Sequence, residues 1–246
     1  MKILKITIII ACVFFNYSCG NTNKLFSDAN EILKTINAGI TEEEAASGLK
    51  EALNSGVSTG TDFLSKRDGF LKNDMYKILF PPEAQKIEQT LRNLGFGNKC
   101  DQVIENINRG AEMAVAVAKP VFINSIKQMK IKDAIKIVTG GNGAATSFLK
   151  RTTTSELTNK FKPIIQTSLD KTQATKYWTD IMTIYNKIPG VEKINPDLNS
   201  YVTQKALSAL FSQIETEENN IRKDPLKRST QLLKKVFGYA DQKKNN

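Results

Sequence analysis

No histidine occurs anywhere in the 246 residues of this chain. That single absence removes the serine and cysteine nucleophiles that depend on an imidazole base. It also removes the imidazole ligands on which most zinc enzymes rely. A metal site would need to be built from oxygen alone, and the Asp-x-Asp-x-Asp-Gly loop that cages calcium does not occur. No metal and no cofactor is therefore expected. Cysteine is scarce as well, with Cys12, Cys19 and Cys100 making up the whole set. Strand-like alternation of apolar and polar residues is missing, and no internal repeat stands out. Long hydrophobic runs are also lacking. The one mostly apolar stretch, residues 6–15, is too short for a bilayer span of about 20 residues.

What stands around that stretch is an address. Lys2 and Lys5 supply a short basic start, residues 6–15 carry no charge, and Ser18-Cys19-Gly20 follows. This is the layout of a secretory signal that ends in a cysteine open to lipid attachment. A lipoprotein peptidase cuts before a cysteine preceded by a small residue, which Ser18 provides, although Asn16 is a polar third position. The plainer alternative is a soluble exported protein. The lipoprotein reading makes residues 1–18 a signal peptide and Cys19 the site of palmitate-type acylation. Residues 19–40 become anchor and flexible tether, residues 41–238 a helical domain, and residues 239–246 a disordered basic tail. It places the protein in the bacterial cell envelope, membrane-held and facing periplasm or cell surface. With Cys12 removed and Cys19 acylated, Cys100 is left unpaired and is read as a small buried side chain.

Charge is uneven. The chain carries a formal +10, and from Arg222 onward eight basic residues face only two acidic ones. An exported basic tail meets anionic lipid headgroups or glycans before it meets nucleic acid, so no nucleic-acid partner is expected. A solvated helix face followed by a disordered end explains the same charges more simply.

The interior reads as helices throughout. Thr41 with Glu44 forms a capping box that opens the first helix, and Asp68-Gly69 breaks the chain after it. Pro82 suits the first position of a second helix that runs to Gly95 or Gly97. Ile104, Ile107, Ala111, Val115, Phe122 and Ile126 step by three or four along one stripe, with Arg109 and Glu112 off it. Pro120 predicts a kink or fresh start near Lys119. A short helix over 133–138 leads into Gly140-Gly141-Asn142-Gly143, and Ala144 begins another. Thr153 with Glu156 reads as a second capping box opening a helix over 157–169, with a kink or restart at Pro163. A helix from Ala174 carries Trp178, the only tryptophan, and stops at Pro189-Gly190. Residues 201–222 form the next, with Glu215, Glu217 and Glu218 mostly outward. Asp224-Pro225 ends it and caps a last helix that stops at Gly238. The fold class is all-α, a single bundle-like domain of many helices.

Two features offer chemistry. The glycines of residues 140–143 precede a helix start and can present backbone amides to an anion, with Lys150 or Arg151 one to two turns on. A tight helix connection needing positive φ explains the same glycines. Arg109 and Glu112, three residues apart, can pair as a structural latch or as a ligand contact. Ser147-x-x-Lys150 and Ser168-x-x-Lys171 match the short pattern of penicillin-binding enzymes, but its companion elements are missing.

Several stretches in order along the chain carry a family resemblance. They are residues 48–53, Asp68-Gly69-Phe70-Leu71, Asn108-Arg109 with Ala111-Glu112, and Gly140-Gly141 with Ala144-Ala145-Thr146. Asn195-Pro196-Asp197-Leu198 with Tyr201-Val202-Thr203, Ile221-Arg222-Lys223-Asp224-Pro225 and Lys235-Val236-Phe237-Gly238 complete the set. On these, residues 41–238 resemble the bacterial family of domain of unknown function 4197. The resemblance implies a helical, exported and often lipid-anchored protein, and implies no activity. Gly110 departs from the alanine more usual there and points to close packing by a neighbour. The function expected is a non-catalytic binding or structural role for an envelope protein or an anionic lipid or glycan. The alternative is an enzyme using carboxylate or lysine chemistry in an interhelical cleft.

Overall fold

The computed structural model describes residues 39–245 apart from 172, 188, 191, 192 and 194–196. The residues read as signal peptide, Cys19, most of those read as tether, and Asn195-Pro196 lie outside the described residues. The first helix, α1 (Glu42–Leu64), starts where the capping box predicts. The Thr41 hydroxyl accepts from the Glu44 amide, and the Glu44 carboxylate accepts from the Thr41 amide, both at 3.1 Å. Three acidic residues in its first turn favour the positive helix end. Small residues on its buried face set how closely its neighbours approach. A Cβ on Gly48 would lie 2.7 Å from Val236, and one on Gly60 would lie 3.2 Å from Ile214.

After α1 the chain runs without regular helix through residues 65–81, turning at Asp68 with φ 70°. A 3-10 turn (Pro82–Ala84) leads into α2 (Gln85–Leu91), with Pro82 in its first turn. A wide turn (Arg92–Phe96) follows, where Gly95 takes φ 89°, and α3 (Gly97–Ala116) begins directly after it. Helix α4 (Ala118–Gln128) restarts one residue later. Pro120 falls in its first turn, where the missing amide has no helical partner to lose. Helix α5 (Ile131–Val138) and the glycine loop lead to α6 (Ala144–Asp170). Then come α7 (Ala174–Tyr185), α8 (Leu198–Lys223), a 3-10 turn (Pro225–Lys227) and α9 (Gln231–Asn245). No strand occurs among the described residues.

The core lies where α6 and α8 cross α3 and α1, with α4, α5 and α9 closing its sides. Phe122 on α4 meets Phe211 on α8 edge to face, 5.8 Å between ring centres. The stripe from Ile104 to Met129 is buried along its whole length, across the break between α3 and α4. Gly110 lets α6 approach, since a Cβ there would sit 3.0 Å from the Ser168 Cβ. Asp197 caps α8, accepting from the Ser200 amide at 2.9 Å. Burial works against the Asp197 charge, yet the bonds from Ser200 prevail and hold its carboxyl below the usual range.

Three expectations need correction. Thr153 opens no helix. It sits inside α6, its hydroxyl donating back to the Leu149 carbonyl, and the helix passes Pro163 without a restart. Glu218 does not look outward; it is buried, as is Glu112. The last helix does not stop at Gly238 before a disordered tail. It continues to Asn245 because Ala240 is buried and Asp241 pairs with buried Arg228 at 2.8 Å.

Candidate functional site

The glycine loop is closed by the protein's own charges. Glu218, on α8, accepts from the amides of Ala145 and Thr146 at 3.0 and 2.8 Å and from the Thr146 hydroxyl at 2.8 Å. These are first-turn amides of α6, so the carboxylate fills the anion position of that helix end. Arg222, one turn on, donates to Glu218 at 2.8 Å and to the carbonyls of Ile137, Val138 and Gly140. One buried ion pair thus joins the end of α5 to the start of α6. Gly143 has φ 73°, and a Cβ there would come 2.8 Å from Glu215 Oε1. An outside anion approaching Gly140, Gly141, Asn142 or Gly143 therefore meets two carboxylates. Lys150 and Arg151 are exposed on α6, and the Arg151 guanidinium lies 5.7 Å from the Phe148 ring centre.

Arg109 and Glu112 sit at a second internal junction. Glu112 accepts from the amides of Phe70 and Leu71 at 3.2 and 3.3 Å and from Arg109 at 2.7 Å. Arg109 reaches Asp68 at 2.7 Å, and Lys72 adds a second cation to Asp68 at 3.0 Å. The Arg109 guanidinium, then Lys72, hold the Asp68 carboxyl below its ordinary range. Asn108 completes the junction by accepting from the Ile78 amide and donating to the Ile78 carbonyl, each at 2.8 Å. A long stretch without helix carries many backbone polar groups that must be met. Here α3 meets them from one face, with three nearly consecutive side chains.

A concave stretch of uncovered apolar surface lies elsewhere. A groove of about 610 Å³ opens between α2, the wide turn after it, the first turns of α3, and α7. Phe80, Ile87, Leu91, Val103, Trp178 and Met182 form its walls. The Trp178 and Phe80 rings stack with 6.2 Å between centres and 22° between planes. Phe96 lies at the lip and is 53% exposed. Cys100 lines the wall, and burial pushes its thiol above the usual value, so it presents a small neutral side chain. Charged groups at the groove are Glu88, Lys99 and Lys171. Glu88 is bonded to Arg92 at 2.8 Å, and Arg92 also reaches Asp101.

Neither the glycine loop nor the Arg109–Glu112 pair contributes to this groove. Its residues come from separate segments, and Ile87 and Leu91, at helical spacing, read in sequence like ordinary core positions. The usable signal was the single tryptophan, close in the fold to residues that the sequence holds far apart. No described helix is long and apolar enough to cross a membrane, and the described residues hold no cluster of potential metal ligands.

A family model described as a protein of unknown function, DUF4197, matches residues 39–238, and the chain belongs to that family. No curated protein and no solved structure matches it.

Proposed function

We propose that this member of the DUF4197 family is a lipid-anchored binding protein of the bacterial cell envelope. Cys19 holds it to a membrane, and the groove beside Trp178 takes an apolar ligand. The groove carries the reading: it has the size of small-molecule sites, about 300–1,000 Å³, with apolar walls and few polar groups. A cleft built for carboxylate or lysine catalysis would need a general acid or base free to act. The carboxylate at this groove, Glu88, is committed to Arg92, and its lysines are exposed. Elsewhere, the buried carboxylates Glu112 and Glu218 are spent on backbone amides and arginines.

Two measurements test the reading. Cys19→Ala should move the protein from the membrane fraction to the soluble one; unchanged retention refutes the anchor. Val103→Trp should fill the groove and abolish the fluorescence gain of an apolar dye such as 1-aminoanthracene, with helical circular dichroism intact. Dye binding that survives this substitution places the apolar site elsewhere and sinks the groove as the binding site.

A further inference from the structure

We propose that the ligand of this groove is a long-chain fatty acid, its alkyl chain along the apolar walls and its carboxylate drawn to Lys99 and Lys171. The proposal rests on the binding role assigned to the groove and adds the class of ligand. One observation points to the anionic head and two to the alkyl chain.

The first is charge. Lys99 stands in the first turn of α3, and Lys171 directly follows α6. Both are exposed, and neither is held in an ion pair among the described residues. Glu88, the acidic group of the lining, is already neutralised by Arg92. The charge left unmatched at the groove is therefore positive and selects an anion. Lysine stems are long enough to lie on apolar surface while their ammonium groups reach a head group at its edge.

The second is the aromatic wall. The Trp178 ring lines the groove and stacks on Phe80, with 6.2 Å between ring centres. A flat aromatic face of this kind gives an alkyl chain a continuous apolar surface to lie on.

The third is size and composition. A volume of about 610 Å³ suits one extended or bent alkyl chain and not a folded partner. Besides the charged groups, the polar side chains here are Gln102 and Gln173. That is enough for a head of two oxygens and too few for a sugar or a nucleotide. No bond is made or broken; the role is carriage or retention.

The full chain carrying Cys19→Ala, free of acyl chains of its own, is titrated with laurate below its micelle concentration. Trp178 is the only tryptophan, so its emission reports the groove directly. Laurate should shift that emission with one-to-one saturation and bind at least tenfold more tightly than dodecyltrimethylammonium. Lys99→Glu with Lys171→Glu should weaken laurate about tenfold and leave dodecanol unchanged. Trp178→Ala, followed by displacement of 1-aminoanthracene, should weaken laurate and dodecanol alike, since it removes apolar wall and no charge. Equal affinity for laurate and the cationic amphiphile, or no effect of the double lysine variant, overturns the fatty-acid assignment. Dodecanol binding without laurate binding also overturns it, while leaving the apolar groove standing. If neither binds and the dye does not bind the groove either, both the assignment and the groove's binding role fail.

Discussion

Glu218→Ala should be among the most damaging single substitutions in this protein, and its cost follows from what the carboxylate touches. The Arg222 side chain is 2% exposed and sits 2.8 Å from Glu218. Removing the carboxylate leaves a guanidinium buried without its counter-charge, which costs about 3–5 kcal/mol. The amides of Ala145 and Thr146 lose their acceptor in the same step. Against a domain stability of about 5–15 kcal/mol that loss is large. It should lower the melting temperature by about 10–15 °C for a domain of this size, read by circular dichroism. The informative partner is Glu218→Leu combined with Arg222→Leu. A buried pair that interacts only with itself can be replaced by apolar residues at little cost, or even with a gain. This pair also satisfies the carbonyls at the end of α5 and the amides at the start of α6. The double variant should therefore remain at least 2 kcal/mol less stable than the parent, since orphaned backbone groups carry about 1–3 kcal/mol each. A double variant as stable as the parent refutes the claim that the pair joins two helix ends.

Acid should loosen the chain around Asp68. Arg109 and Lys72 depress its carboxyl in the folded state, so the stabilisation is present above the unfolded value of about 4 and is lost as pH falls through the folded one. Asp68→Asn should flatten the stability–pH curve in that window, and an unchanged slope in urea unfolding argues against the pairing. Hydrogen exchange should separate the two walls of the groove, with amides of residues 85–96 exchanging well before those of residues 104–115. Equal protection would mean that α2 and its following turn are as firmly held as α3.

The helices were legible because their signals are local. Thr41 and Glu44 meet across one turn, and the stripe from Ile104 to Met129 repeats at helical spacing through a break that Pro120 announces. Glu218 was misread for the converse reason. Beside Glu215 and Glu217 it looks like part of a solvated acidic face, and only the distant amides of Ala145 and Thr146 reveal why it is buried. Thr153 was misread because a threonine hydroxyl can cap a helix or bond back within one, and the sequence offers both. The basic tail shows the same limit. Arg222, Arg228 and Lys235 are engaged by Glu218, Asp241 and Glu44, so much of the apparent surface charge is internal.

The residues that carry the family resemblance are largely bonded to one another's backbones. Asn108, Arg109 and Glu112 hold residues 68–78 to α3, while Arg222 binds the carbonyls around Gly140. This has a consequence for the groove. Helix α3 supplies Lys99, Cys100 and Val103 to one wall, and its later turns are pinned by the junction at Asn108 and Glu112. The facing wall is held differently: α2 and the wide turn bury no residue completely and pack chiefly on each other and on α3. Segments with few buried contacts open at low free-energy cost. One wall is therefore a fixed template and the other a compliant flap, with Gly95 at φ 89° in the turn between them. Such an arrangement admits chains of different length at little cost, because the flap adjusts while the lysine and cysteine positions on α3 stay put. Selectivity should then reside in the charge at Lys99 and Lys171, and only weakly in the length of the chain that is bound.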